Sequence, residues 1–255
     1  MVSNDAKVGV VVPTLGQRPE LIIECLSSIR KAGECFIQLV TPHSFDYLFL
    51  QNSGLIDGVV ADPSAGLAAA INLGIMKLPE SCEYVSWLGD DDLLMPNGLN
   101  ECENVLFNDE EIVLVFGNCE YIDSIGDVIW KNNFGKLAIK LLRIGPCLIP
   151  QPGSLFRRDI FQRIGGLDTN FGWAFDFDLF IKFSKVGKIE YINKDLAAFR
   201  WHSGSLTVKE RKKSVLEASR ARSVNQTRFV RVLVSPLEPM IRVATLYGPK
   251  IFSRD

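Results

Sequence analysis

Residues 85–96 read Val-Ser-Trp-Leu-Gly-Asp-Asp-Asp-Leu-Leu-Met-Pro, a hydrophobic run of strand character that stops abruptly at Asp90, Asp91 and Asp92. Three adjacent carboxylates repel one another, so a fold tolerates them at a strand end where a cation or a helix N-terminus offsets the charge. A helix starting near Pro96 gives one of them a capping role. That accounts for a single carboxylate, and the other two point to a metal-dependent site.

Outward from this stretch, apolar runs alternate with helical patterns. Val8–Val12 is a continuous hydrophobic run of the kind buried on both faces of a sheet. Residues 19–33 place Ile22, Leu26 and Ile29 at helical spacing, with Pro19 suited to the first turn and Gly33 to the stop. Strands are expected at Phe36–Val40, Val59–Val60 and Tyr84–Leu88, with a helix capped by Ser64 running to about Leu78. Strands separated by helices predict an α/β fold with a mostly parallel central sheet flanked by helices. Ligands of such sheets bind at the carboxyl ends of the strands, which gathers Pro13, Thr14, Asp62 and Asp90 to Asp92 along one crevice. Neither GxGxxG nor GxxxxGK[ST] occurs, which excludes the dinucleotide fingerprint and the Walker phosphate loop. Past Asn108 the pattern is less regular: Ile112–Phe116 and Tyr121–Ile122 are strand-like, and residues 123–130 (DSIGDVIW) carry a hairpin turn.

A second acidic pair lies in residues 171–187, FGWAFDFDLFIKFSKVG. For a helix beginning near Ala174, Leu179, Phe183 and Val186 form the core stripe and Asp176 falls on the same apolar face. Asp178, rotated by about 200°, shares a face with Lys182 and Lys185, as a solvated ion-pair stripe would. A carboxylate on the buried side at a helix N-terminus stays ionised through the helix dipole, while partial desolvation makes it basic enough to take a proton. An N-cap role for Asp176 is the alternative.

The 255 residues are 47% hydrophobic and 23% charged, the composition of a globular protein with one large domain and at most an appendage. No apolar run reaches the roughly 18 residues of a membrane span, and the N-terminus reads as a first core strand, not a signal peptide. Six cysteines stand singly without CxxC spacing, as free thiols in a reducing cytoplasm would. The net charge of −2 conceals an asymmetry, because residues 207–255 carry 11 Lys and Arg against 4 Asp and Glu. We therefore divide the chain into a catalytic domain over 1–206 and a basic helical extension over 207–255, broken into two helical pieces by Pro236 and Pro239. Basic residues interleaved with Val, Leu, Ile and Phe suit an anionic membrane surface; packing on the acidic domain or on a second subunit is the alternative. No motif for nucleic-acid binding accompanies the basic residues.

Several segments in order resemble the family 2 glycosyltransferases of GT-A fold, with their Rossmann-like sheet: VVVPT at 10–14, SAGLAAAINLGI at 64–75, WLGDDDLLMP at 87–96, QPGSLFRRDIFQRIGGLD at 151–168, AFDFDL at 174–179 and RWHSGSLT at 200–207. The likeness covers about residues 7–206. It implies an inverting enzyme that moves a sugar from a nucleoside diphosphate donor to an acceptor hydroxyl, with surface polysaccharide or glycolipid assembly as the setting and a sugar or lipid-linked acceptor. By position, Asp91 would ligate a divalent cation, Mn2+ or Mg2+, with Asp92 and His202 as further ligands. Asp90 and Asp92 would contact the donor together with Pro13, Thr14, Asp62 and Asn72; Asp176 would be the catalytic base, and Gln151 and Asp178 would face the acceptor. The chain also departs from the family. VTPHSF at 40–45 replaces an Asp-rich segment, which leaves base recognition to Thr14 and Asp62; Ile71 stands where many relatives carry Arg, and Phe175 where an acidic residue often precedes the base. A noncatalytic nucleotide-sugar binder and a nucleotidyltransferase on a similar scaffold are the rival readings.

Overall fold

A computed structural model describes residues 5–201 and 210–252. In chain order the elements are β1 (Val8–Pro13), α1 (Pro19–Ala32), β2 (Phe36–Thr41), α2 (Leu48–Asn52), β3 (Gly58–Ala61), α3 (Leu67–Lys77), β4 (Tyr84–Trp87), β5 (Leu93–Leu94) and α4 (Gly98–Asn108). There follow β6 (Ile112–Ile122), β7 (Val128–Asn132), α5 (Lys136–Leu141), β8 (Leu155–Arg157), α6 (Arg158–Arg163), α7 (Phe175–Val186) and β9 (Lys188–Arg200). The C-terminal part forms α8 (Arg211–Asn225), α9 (Arg228–Val234), a 3₁₀ turn (Ser235–Leu237) and α10 (Glu238–Phe252).

The strands form one sheet in the order β3-β2-β1-β4-β8-β6-β9-β5, with β7 paired to β6. The first four are parallel, as expected, and chain direction across the sheet reverses beside β1, leaving the crevice between β1 and β4 at their carboxyl ends. The rest is mixed, which corrects the largely parallel expectation: β8 lies antiparallel between β4 and β6, β5 is antiparallel to β9, and only β6 and β9 are parallel. The two strand-like segments after Asn108 are a single strand, β6, whose register against β9 shifts at 116–119. It continues into β7 through the expected hairpin turn.

Alternation along β1 sends Val8, Val10 and Val12 into a core with Ile22, Leu26 and Ile29 of α1 and Leu99 of α4. Val11 points the other way, into a core shared with Ile71 and Ile75 of α3 and the phenylalanines of α7. A Cβ at Gly74 would lie 2.5 Å from Val11 Cγ1 and 2.8 Å from Val40 Cγ2, so the small-residue character of α3 is what lets it lie flat on the sheet. Ser64 does not cap α3, which starts at Leu67 with Gly66 as N-cap. The tail has its first break at Gln226–Thr227; Pro236 lies in the 3₁₀ turn and Pro239 in the first turn of α10, where a proline costs no hydrogen bond. Among the described residues no helix is long and apolar enough to cross a membrane.

Candidate active site

β5 separates the acidic triplet from α4, whose N-cap is Asn97, so the carboxylates do not cap that helix. Each carboxylate has a different surrounding. Thr14, at the end of β1, donates its hydroxyl to Asp90 Oδ2 at 2.6 Å and accepts the Gly16 N–H at 3.0 Å. Asp90 Oδ1 and Asp91 Oδ2 both receive the guanidinium of Arg18, the residue before α1. Burial raises the Asp90 carboxyl, and the Thr14 hydroxyl and Arg18 oppose that shift. Asp92 turns away: it is buried, and its Oδ1 accepts the backbone N–H of Arg200 at 2.9 Å. Burial, then the charge of Asp91, pushes its carboxyl well up. Arg200, itself buried, donates to the Asp91 carbonyl at 2.9 Å and to Glu24 at 2.8 Å, fastening the end of β9 beneath the triplet. Asp92 is therefore an anchor for β9 in this structure, where the sequence suggested a ligand.

Two carboxylate oxygens converging on one cation fit a hard divalent ion, which is commonly held by one or two carboxylates and takes its remaining ligands from substrate phosphates and water. Here both oxygens pair with the guanidinium of Arg18. Among the described residues no group of three or more His, Cys, Asp or Glu side chains is placed to hold a metal alone, and His202 lies outside the described residues, as does the 206/207 boundary.

Asp176 occupies the second position of α7, with Ala174 as N-cap, so it does not cap the helix itself. Its Oδ1 accepts the Phe177 N–H at 2.7 Å. Burial pushes its carboxyl up to about 6, against the opposing pull of that N–H and its own. The Phe175 ring, one residue earlier, packs at 6.3 Å between centroids on Trp87, the last residue of β4. Phe175 and Trp87 thus join the first turn of α7 to the strand that ends in the triplet. Gln151 closes the same corner, its Nε2 donating to the Trp87 carbonyl at 2.7 Å, a tie that commits this amide to the loop in place of an acceptor.

Other expected residues are employed elsewhere. The Asn72 amide spans the Leu167 backbone, accepting its N–H at 3.0 Å and donating to its carbonyl at 2.9 Å, so it clamps the segment before α7 and does not reach toward a donor. Asp178 is buried between α7 and α8, paired with Lys182 at 2.7 Å and accepting from Asn225 Nδ2 at 2.6 Å. It faces no acceptor and no solvent, because α8 covers the side of α7 that the helical wheel leaves open. Val186, expected in the core stripe, is exposed at the helix end. Pro13 lies half-buried at the end of β1. Asp62 follows β3, partly exposed on the open edge of the crevice, its Oδ1 accepting the Ser64 N–H at 3.0 Å.

Sequence reasoning missed Arg18, Trp87, Arg200 and Glu217. Only Arg18 left a signal, since a cation placed at a helix N-terminus is repelled by the dipole unless anions face it. A cavity of about 1290 Å³ lies at the opposite end of the central strands, lined by Arg157, Arg158, Glu83 and Lys188 among others, remote from these acidic groups.

No family model matches the chain. It is 29% identical over 151 residues to an uncharacterized glycosyltransferase of Rickettsia typhi, covering 56% of this chain and 47% of that protein. The chain thus spans about half the length of the curated relatives it matches. In fold it is similar to a mannosyltransferase of Pyrobaculum calidifontis solved with GDP-Man and Mn2+, with a TM-score of 0.64 and 18% identity over 95% of this chain and 69% of that one. It is also similar to TarS 1–349 of S. aureus solved with UDP, with a TM-score of 0.61 and 15% identity over 86% of this chain and 65% of that one.

Proposed function

We propose that the protein is a glycosyltransferase that moves a sugar from a nucleoside diphosphate to an acceptor hydroxyl in a single inverting displacement. The observation that supports this reading is the Phe175–Trp87 contact, which joins the turn carrying the partly desolvated Asp176 to the strand that leads to Asp90 and Asp91. Neighbouring strands lie about 4.8 Å apart, so Asp62 on β3 sits roughly 10 Å from Thr14 on β1, a span suited to a nucleoside laid across the strand ends with its diphosphate toward β4. In this arrangement Asp90 and Asp91 would hold the divalent cation, Mn2+ or Mg2+, which would supply Lewis-acid stabilisation of the departing diphosphate. Arg18, beside both carboxylates, would then be a candidate partner for the phosphate oxygens. The acceptor oxygen attacks the anomeric carbon as the carbon–oxygen bond to the β-phosphate breaks; the bonding pair leaves with the diphosphate and the hydroxyl proton passes to Asp176. Similarity to a glycosyltransferase of Rickettsia typhi, and in fold to proteins solved with UDP and with GDP-Man and Mn2+, supports the sugar-transfer part of this reading. Replacing Asp176 by Asn should lower transfer by about 10²–10⁴-fold while donor binding persists; full turnover in that variant would refute the assignment.

The tail favours a cytoplasmic enzyme held at the inner membrane face, near a lipid-linked acceptor. Phe229, Val232, Leu233, Leu237, Met240 and Val243 are each at least half exposed on α9, the 3₁₀ turn and α10, with Arg228, Arg231 and Arg242 interspersed. An apolar face with cations between its residues matches an anionic bilayer.

A further inference from the structure

Glu217 lies midway along α8, in the basic tail, yet its carboxylate is turned onto the segment that leads into α7. One oxygen accepts the Gly172 N–H at 3.1 Å; the other accepts the N–H groups of Trp173 at 2.7 Å and Ala174 at 3.1 Å. Helix N-termini leave backbone donors unpaired, and α7 has no capping side chain of its own. Asp176 takes the Phe177 N–H, inside the first turn. The remaining donors before the helix are satisfied from a different element, about 40 residues later in the chain. A second tie holds the same two helices further along: Asn225 bonds Asp178 at 2.6 Å and Lys185 at 2.7 Å.

We propose that Glu217 is a positioning residue for the catalytic base, the tail holding the segment that leads into α7 and so the direction of the Asp176 carboxylate. This rests on the reading of Asp176 as the base. A carboxylate near the helix N-terminus offsets the positive end of the dipole, so removal of its charge is expected to make Asp176 more acidic. Among the described residues, the charged or titratable groups around this turn include Cys147 in the loop before β8, Arg222 over the Phe177 ring at 5.9 Å, Lys213 over the Trp173 ring at 5.3 Å, Arg220 over the Phe171 ring at 5.2 Å, and the Asp178–Lys182 pair.

The test is steady-state transfer by the full chain in Glu217→Ala, Glu217→Gln and Asn225→Ala. Glu217→Ala should lose about tenfold to a hundredfold in kcat with the donor KM unchanged, because the base is misdirected while the donor crevice is intact. Glu217→Gln keeps acceptor oxygen but not charge; it should restore most of kcat and move the acidic limb of the kcat profile to lower pH. Asn225→Ala, which loosens the same helix pair at its far end, should lower the melting temperature and leave that limb in place. Wild-type kcat in Glu217→Ala, or an equal limb shift in Asn225→Ala, would overturn the proposal. Should Glu217→Ala fail to fold, Glu217→Gln with an unmoved limb would overturn it as well. If Asp176→Asn stays active, the base reading itself has failed; if it is inactive while the Glu217 variants behave as wild type, only this inference has.

Discussion

Asp176 is a carboxylate held where ionisation is costly, and that cost has a measurable sign. Its folded value of about 6 lies above the ordinary aspartate range, so the folded state holds the proton more tightly than the unfolded chain does. The stability it contributes is present in full below pH about 4 and is lost as pH rises through about 6. Asp176→Asn is therefore expected to stabilise the protein at pH 8 by about 1–3 kcal/mol and to lose that advantage near pH 4, as melting curves at the two pH values would show. Transfer by the wild type should fall as pH drops through about 6, when the base becomes protonated. The triplet divides in the same way. Asp91→Ala should abolish cation-dependent donor binding in calorimetry with little effect on stability. Asp92→Ala, which strips the buried Arg200 N–H of its partner, should cost about 1–3 kcal/mol in denaturant unfolding. Adjacent identical residues gave no hint of this division, since which carboxylate turns inward depends on where β9 ends, 108 positions away.

At the scale of elements, whatever was encoded within about 15 residues could be read and whatever depended on distant chain could not. The apolar runs of β1 to β4 and the helical pattern of α1 anticipated their positions to within a residue or two. β8 went unread because three residues show no periodicity, although it turns the sheet from parallel to mixed. The helical wheel of α7 placed Asp178 beside Lys182 correctly and then assigned the pair to solvent, because nothing within the helix reveals that α8 covers it. Likewise the pairing of Asn72 with Leu167 joins segments 95 residues apart, and a spacing rule cannot anticipate it. α3 offers a direct check. Gly74→Ala drives a methyl group into Val11 and Val40, and should cost about 1–3 kcal/mol by chemical denaturation while leaving the donor-binding carboxylates unaltered.

For the molecule as a whole, residues 207–255 carry 11 Lys and Arg against 4 Asp and Glu, a balance opposite to that of residues 1–206. In the structure that tail does two things. Its first helix, α8, packs against α7 and places Ala221 in the main core, while α9 and α10 present apolar and basic side chains outward. Phe229→Glu combined with Met240→Glu should weaken sedimentation with vesicles containing anionic phosphatidylglycerol and leave melting temperature nearly unchanged, since both side chains are exposed; equal pelleting would dismiss the membrane contact. The proposal is narrower still: the Asp90–Asp91 carboxylate pair and the base at Asp176 address one reacting carbon. Its most direct measurement is a crystal structure with Mn2+ and a nucleoside diphosphate, UDP and GDP being tried in turn. The account predicts the diphosphate at Asp90 and Asp91, Arg18 displaced from them, and the Asp176 carboxylate facing the phosphate across an open gap the size of a sugar ring; a nucleotide seated elsewhere, or Asp176 walled off from it, would contradict the account.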